Sequence, residues 1–123
     1  MHELGLADAV LKMVDRVAQE EGGQVLSVTV ELGDLSGVVH RFLTDAWEAV
    51  RDKTPYTDVP LRIHPVPATA KCEACGRIFV VDPADLRCPD CKSDLLTPLS
   101  GRDMTVTEIE IYDPALDEEE PED

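Results

Sequence analysis

Four cysteines and one terminal histidine carry most of the chemistry this chain offers. Cys72-Glu73-Ala74-Cys75 is followed, after twelve residues, by Cys88-Pro89-Asp90-Cys91, and the 123-residue chain has no other cysteine. Each C-x2-C pair can fold into a tight knuckle that turns two thiolates toward one point. Two facing knuckles make a tetrahedral S4 site, the geometry of a closed structural zinc site. Gly76 stands where such a turn needs positive φ, and Pro89 stiffens the second knuckle. Sulfur ligation alone leaves a rubredoxin-like iron site open. The aromatic residues that usually surround such an iron are few here: Phe42, Phe79, Trp47, Tyr56 and Tyr112. A disulfide framework would suit an exported chain, but Met1-His2-Glu3-Leu4 lacks the basic and apolar segments of an export signal. Two matched pairs argue against a lone redox C-x-x-C.

The second candidate is Met1-His2. A free α-amine, the His2 amide nitrogen and the imidazole Nδ1 can close a five- and a six-membered chelate ring in one plane. That arrangement suits Ni(II) or Cu(II), with Glu3, another histidine or water in the fourth position. On spacing alone the plain reading is a solvated terminal histidine. His40 and His64 also read as ordinary surface residues, although either is chemically able to supply a further ligand.

The elements that must hold these groups follow from periodicity. Leu4, Ala7, Leu11, Val14 and Ala18 recur at helical steps over residues 4–21, and Gly22-Gly23 ends that helix. Residues 24–32 alternate, with Leu26, Val28, Val30 and Leu32 expected on the buried face and Ser27, Thr29 and Glu31 on the other. A second helix is expected over residues 39–52, with Leu43, Ala46, Trp47 and Val50 inward. Residues 61–66 read as a strand that Pro65 keeps from a central sheet position. Residues 103–112 read as the last strand, with a bulge near Thr107-Glu108 where the apolar phase changes. The fold class is therefore α+β: a small mixed three-stranded sheet covered by two helices, with an inserted zinc-ribbon-like module. Residues 1–67 and 102–112 form the α/β domain, 68–101 the zinc-binding domain, and 113–123 an acidic tail expected to be disordered. The strands at 61–66 and 103–112 are expected to pair antiparallel around the inserted module.

Charge narrows the partners. The formal net charge is -15, and the tail holds seven acids and no base, which leaves -8 on residues 1–112. Such a chain repels phosphate backbones, which argues against nucleic acid, and suits cation handling or a basic protein partner. No apolar run is long enough for membrane insertion. A cytoplasmic setting is expected, where thiols stay reduced. No nucleophile triad or phosphate loop is present, so an enzyme is not expected.

Taken in order, Met1-His2-Glu3-Leu4, the turn from Glu31 to Val38 (ELGDLSGV), the C-x2-C-Gly and C-Pro-x-C pairs and Ser100-Gly101-Arg102 resemble one family. They are similar to the HypA/HybF nickel metallochaperones of hydrogenase maturation, over residues 1–112. The resemblance implies transient Ni(II) cargo at the N-terminus, with Met1, His2 and Glu3 matching the nickel motif. It implies structural Zn(II) on Cys72, Cys75, Cys88 and Cys91. It also implies work with a nickel-handling maturation GTPase to load the large subunit of [NiFe]-hydrogenase; some members serve urease as well. Two departures stand out: Lys92 occupies a knuckle position that is often glycine, and the zinc module has no histidine. Lys71 and Arg87, each just before a cysteine, are expected to offset the charge of the thiolates. The competing readings are a zinc-ribbon interaction module without nickel and a rubredoxin-like electron carrier.

Overall fold

The computed structural model describes residues 2–112 and, for His2, the backbone alone. Met1 and the acidic tail therefore lie outside the described residues. Helix α1 spans His2–Glu21, followed by β1 (Gln24–Gly33), α2 (His40–Arg51) and β2 (Leu61–Val66). Then come β3 (Thr69–Cys72), β4 (Ile78–Val80), β5 (Leu96–Ser100) and β6 (Met104–Tyr112). The chain divides into two compact units. One comprises α1, β1 through Val30, Val39–Arg62 and β6 from Val106; the other comprises Glu31–Val38 and Ile63–Thr105.

The first unit is built on aliphatic burial. Ala7, Val10 and Val14 of α1, Val28 and Val30 of β1, and Leu43, Ala46 and Trp47 of α2 are buried. Gly22 ends α1 in the left-handed region, at φ 77°, and its amide reaches the Ala18 carbonyl at 2.8 Å. Trp47 is almost fully enclosed and satisfies its indole by donating Nε1–H to the Val59 carbonyl at 2.8 Å.

Strand order in the first sheet is β2-β1-β6, so β1 is central. This corrects the expected pairing of 61–66 with 103–112. Pro65 lacks an amide donor and suits β2 to an edge, whereas β1 has donors and acceptors for neighbours on both sides. Val28 donates to Pro60 and Asp34 to Val66, a rising register that makes β1 and β2 parallel across the α2 crossover. Gly33 donates to Asp103, and Thr107 Oγ1 to the Thr29 carbonyl, the falling register of an antiparallel β1 and β6. The central position also explains why β1 does not keep one buried face. Ser27 and Thr29 are buried with Val28 and Val30, while Leu26 is exposed. Ser27 is satisfied by donating its hydroxyl to Glu110 at 2.9 Å. Along β6 the exposure pattern changes phase at Thr107-Glu108, at the expected position.

The second unit contains a sheet ordered β4-β3-β5, with both neighbours antiparallel to β3. Its core is Ala68, Ala70, Cys72, Phe79, Val81 and Cys88, with Leu35 and Leu96 packed against it. Two glycines let backbones meet in this unit. Gly101 sits at φ 82°, and a Cβ there would lie 2.4 Å from the Ala68 Cα; a Cβ on Gly33 would lie 2.2 Å from the Gly101 oxygen. The contact is closed by Leu35 donating to the Gly101 carbonyl at 2.8 Å.

Candidate metal centres

The cysteine site grows out of two turns with the same hydrogen bonds. Cys72 ends β3; its amide donates to the Arg77 carbonyl at 2.8 Å, and its carbonyl accepts from Gly76 at 2.8 Å. In the second knuckle the Cys88 amide donates to Ser93 at 2.9 Å, and the Cys88 carbonyl accepts from Lys92 at 3.0 Å. Both turns need a left-handed residue after the second cysteine. Gly76 supplies it at φ 84° and Lys92 at φ 67°. The departure at Lys92 therefore leaves the turn regular and places the conformational cost on a residue with a Cβ.

The four sulfurs lie within 4.8 Å of one another, with Cys72 and Cys88 buried and Cys75 and Cys91 exposed. Cys72 Sγ is 3.5 Å from Cys91 Sγ, and Cys75 Sγ is 3.7 Å from Cys88 Sγ. A tetrahedron with metal–sulfur arms of about 2.3 Å has sulfur–sulfur edges of about 3.8 Å, whereas a disulfide needs about 2.05 Å. The spacing fits a tetrahedral metal ion held by four thiolates.

Before a metal binds, the thiols do not hold their protons equally. The Cys91 amide, donating to Cys88, lowers that thiol to about 7. The Cys75 amide likewise holds Cys72 below its ordinary value. For Cys75 the Arg77 amide acts downward, but the Cys88 sulfur and burial outweigh it and push the thiol up to about 12. Cys91 is also raised: the Ser93 amide acts downward, and the Cys72 sulfur and burial overcome it. At neutral pH an entering metal must displace the protons of Cys75 and Cys91.

The local countercharge differs from expectation. Arg87 is held by Asp85 at 2.9 Å. Arg77, which sequence reasoning passed over, pairs with Asp90 at 2.6 Å inside the second knuckle. Its pKa is raised, first by that hydrogen bond and also by the charges of Cys88 and Cys75. Only its place after a knuckle glycine could have marked it.

At the other candidate, helix α1 begins at His2 itself. Glu3 is half-buried, and its Oε2 accepts the Val39 amide at 3.4 Å. Val39 is the N-cap of α2 and has no side-chain cap of its own, so Glu3 brings the first turns of the two helices together. His40 opens α2 and is exposed; His64, on β2, is exposed as expected.

Two helices on a three-stranded sheet, with a four-cysteine ribbon between β2 and β6, define a small α+β metal-binding protein. The family model described as "Hydrogenase/urease nickel incorporation, metallochaperone, hypA" matches residues 1–111, and the chain belongs to this family. It is 32% identical over 116 residues to the hydrogenase maturation factor HypA of Desulfatibacillum aliphaticivorans, covering 93% of this chain and 89% of that protein. With the HypA of Streptomyces avermitilis it shares 34% identity over 112 residues, 89% of this chain and 86% of that one. The fold matches the solution structure of the Ni metallochaperone HypA from Helicobacter pylori at a TM-score of 0.62 and 20% identity, covering 89% and 96% of the two chains. A second HypA solution structure matches at 0.67 and 20% identity, covering 91% and 97%. The family is one of metallochaperones for nickel incorporation in hydrogenase maturation. No helix among the described residues is long and apolar enough to cross a membrane.

Proposed function

We propose that this chain binds Ni(II) through Met1, His2 and Glu3 and carries it, with a maturation GTPase, to the large subunit of [NiFe]-hydrogenase. Urease maturation is a second destination open to it. The single observation that carries the reading is the family match over residues 1–111, which takes in both the terminal segment and all four cysteines. The helix start adds a physical reason. The first amides of an α-helix have no intrahelical acceptor, so a metal that deprotonates the His2 amide breaks no helical hydrogen bond. Glu3 and His40, in the two first turns that meet at Val39, are the side chains this arrangement offers to the fourth position.

Structural Zn(II) occupies the Cys72, Cys75, Cys88 and Cys91 site in this reading. Four sulfurs leave no open position, so the ion shapes the second unit and catalyses nothing. Nickel must displace protons from the α-amine, the imidazole and an amide, so its binding weakens as pH falls. A terminal site can pass its metal on by ligand exchange. The setting is cytoplasmic, where the thiols remain reduced.

The test is complementation of a cell that lacks its own hydrogenase nickel chaperone. The wild-type chain should restore nickel in the hydrogenase large subunit, and His2→Ala should not unless the medium is enriched in nickel. Full restoration by His2→Ala would overturn the terminal site.

A further inference from the structure

We infer that the exposed groove between α1 and α2 docks a basic amphipathic helix of a partner protein. Leu4 of α1 and Phe42, Ala46 and Ala49 of α2 line a hollow of about 370 Å³, with Glu3 and Asp45 beside them. Phe42, Asp45, Ala46 and Ala49 follow the i, i+3, i+4, i+7 spacing of one helix face. Leu4 is 39% exposed and Phe42 48%, so an aliphatic and an aromatic side chain face solvent together. A second, more polar hollow of about 310 Å³ lies farther along α1, lined by Asp8, Leu11, Lys12 and Asp15 and by Thr54, Pro55 and Tyr56. From Leu4 to Leu11 the helix rises about 10 Å, so a partner helix a few turns long can set its apolar anchors against Leu4 and Phe42 and reach Leu11 along α1.

Charge selects the occupant. Asp45 and Glu48, exposed and three residues apart on α2, have no ion-pair partner among the described residues. The bases nearby are already engaged: Lys12 pairs with Asp8 at 3.0 Å, and Arg41 lies 5.5 Å from the Phe42 ring centroid. A second copy would bring another fifteen formal negative charges, and an anionic membrane or a nucleic acid would be repelled in the same way. A helix with leucine-like anchors on one side and lysine or arginine along its margins fits both the apolar floor and the acidic edge. This inference does not depend on nickel binding.

The test uses the zinc-loaded full chain and a synthetic helical peptide of about 14 residues, leucine on one face and lysine on the other, followed by amide NMR. Shifts should appear in the first three turns of α1 and along α2, and not at Cys72–Cys91. Phe42→Ala, or the exposed pair Asp45→Asn with Glu48→Gln, should weaken binding about tenfold, as should scrambling the peptide at constant composition. Equal binding by the scrambled peptide, affinity unchanged in either variant, or no binding at all would overturn the inference. So would sedimentation showing a dimer that Phe42→Ala dissociates, because the face would then belong to a second copy. The surface pair keeps the test decisive if Phe42→Ala fails to fold.

Discussion

At Cys72–Cys91 every donor is a side chain that the fold has already aimed. Two matched turns, built on Cys72 and Cys88, hold four sulfurs at tetrahedral spacing. At Met1–Glu3 the proposed donors are the end of the chain itself, the His2 amide and one imidazole, at the first residue of a helix. The first arrangement sets two of its sulfurs, those of Cys72 and Cys88, into the core with Phe79 and Val81. On the proposed reading, the second leaves a coordination position open to a partner, and the difference lets one short chain keep one metal and surrender another. In that reading retention rests on thiolates fixed by backbone hydrogen bonds, and release on a terminal amine, an amide and an imidazole that can be exchanged one at a time.

The largest effect should come from opening the cysteine side of this comparison. Cys72→Ser combined with Cys75→Ser removes half the ligands and frees buried core at Cys72. Structural zinc contributes about 10–16 kcal/mol to small modules, so the second unit should lose amide protection while α1 and α2 retain theirs. Hydrogen exchange with metal analysis checks both points. Full zinc retention in the double variant would refute the four-cysteine assignment.

A smaller effect separates the two knuckles. Lys92 takes the left-handed conformation at φ 67° that Gly76 takes at φ 84° in the matching turn. A side chain there costs about 1–2 kcal/mol, of which the extra backbone entropy of glycine returns about 0.5–1. Lys92→Gly should therefore stabilise the zinc-loaded protein by roughly 0.5–1 kcal/mol in thermal unfolding. The gain belongs to the cysteine side alone, so nickel affinity should not move. A lowered melting temperature would show that the Lys92 side chain contributes more than its backbone costs.

Much of this arrangement was legible in the sequence because its signals are local. The cysteine spacing identified the S4 site, helical periodicity identified α1 and α2, Gly22 marked the end of α1, and the apolar phase change located the irregularity in β6. What escaped depends on distant partners. Ile78-Phe79-Val80 is too short to announce β4 and becomes a strand by pairing with Thr69–Lys71. The burial of Ser27 and Thr29 follows from the central position of β1, which no window along the chain records. Gly33 and Gly101 were visible as parts of family motifs, but their reason, two backbones in contact, is seen only when both are placed. The Glu3 contact to Val39 spans 36 positions and likewise had no sequence signature.

The most direct test of the account is calorimetric titration of zinc-loaded protein with Ni(II), with and without one residue added before Met1. The extension turns the α-amine into an amide and carries the new terminus away from the imidazole. The account predicts that nickel affinity falls sharply in the extended chain while its zinc content stays the same. Equal nickel affinity in the two forms would contradict a terminal-amine site.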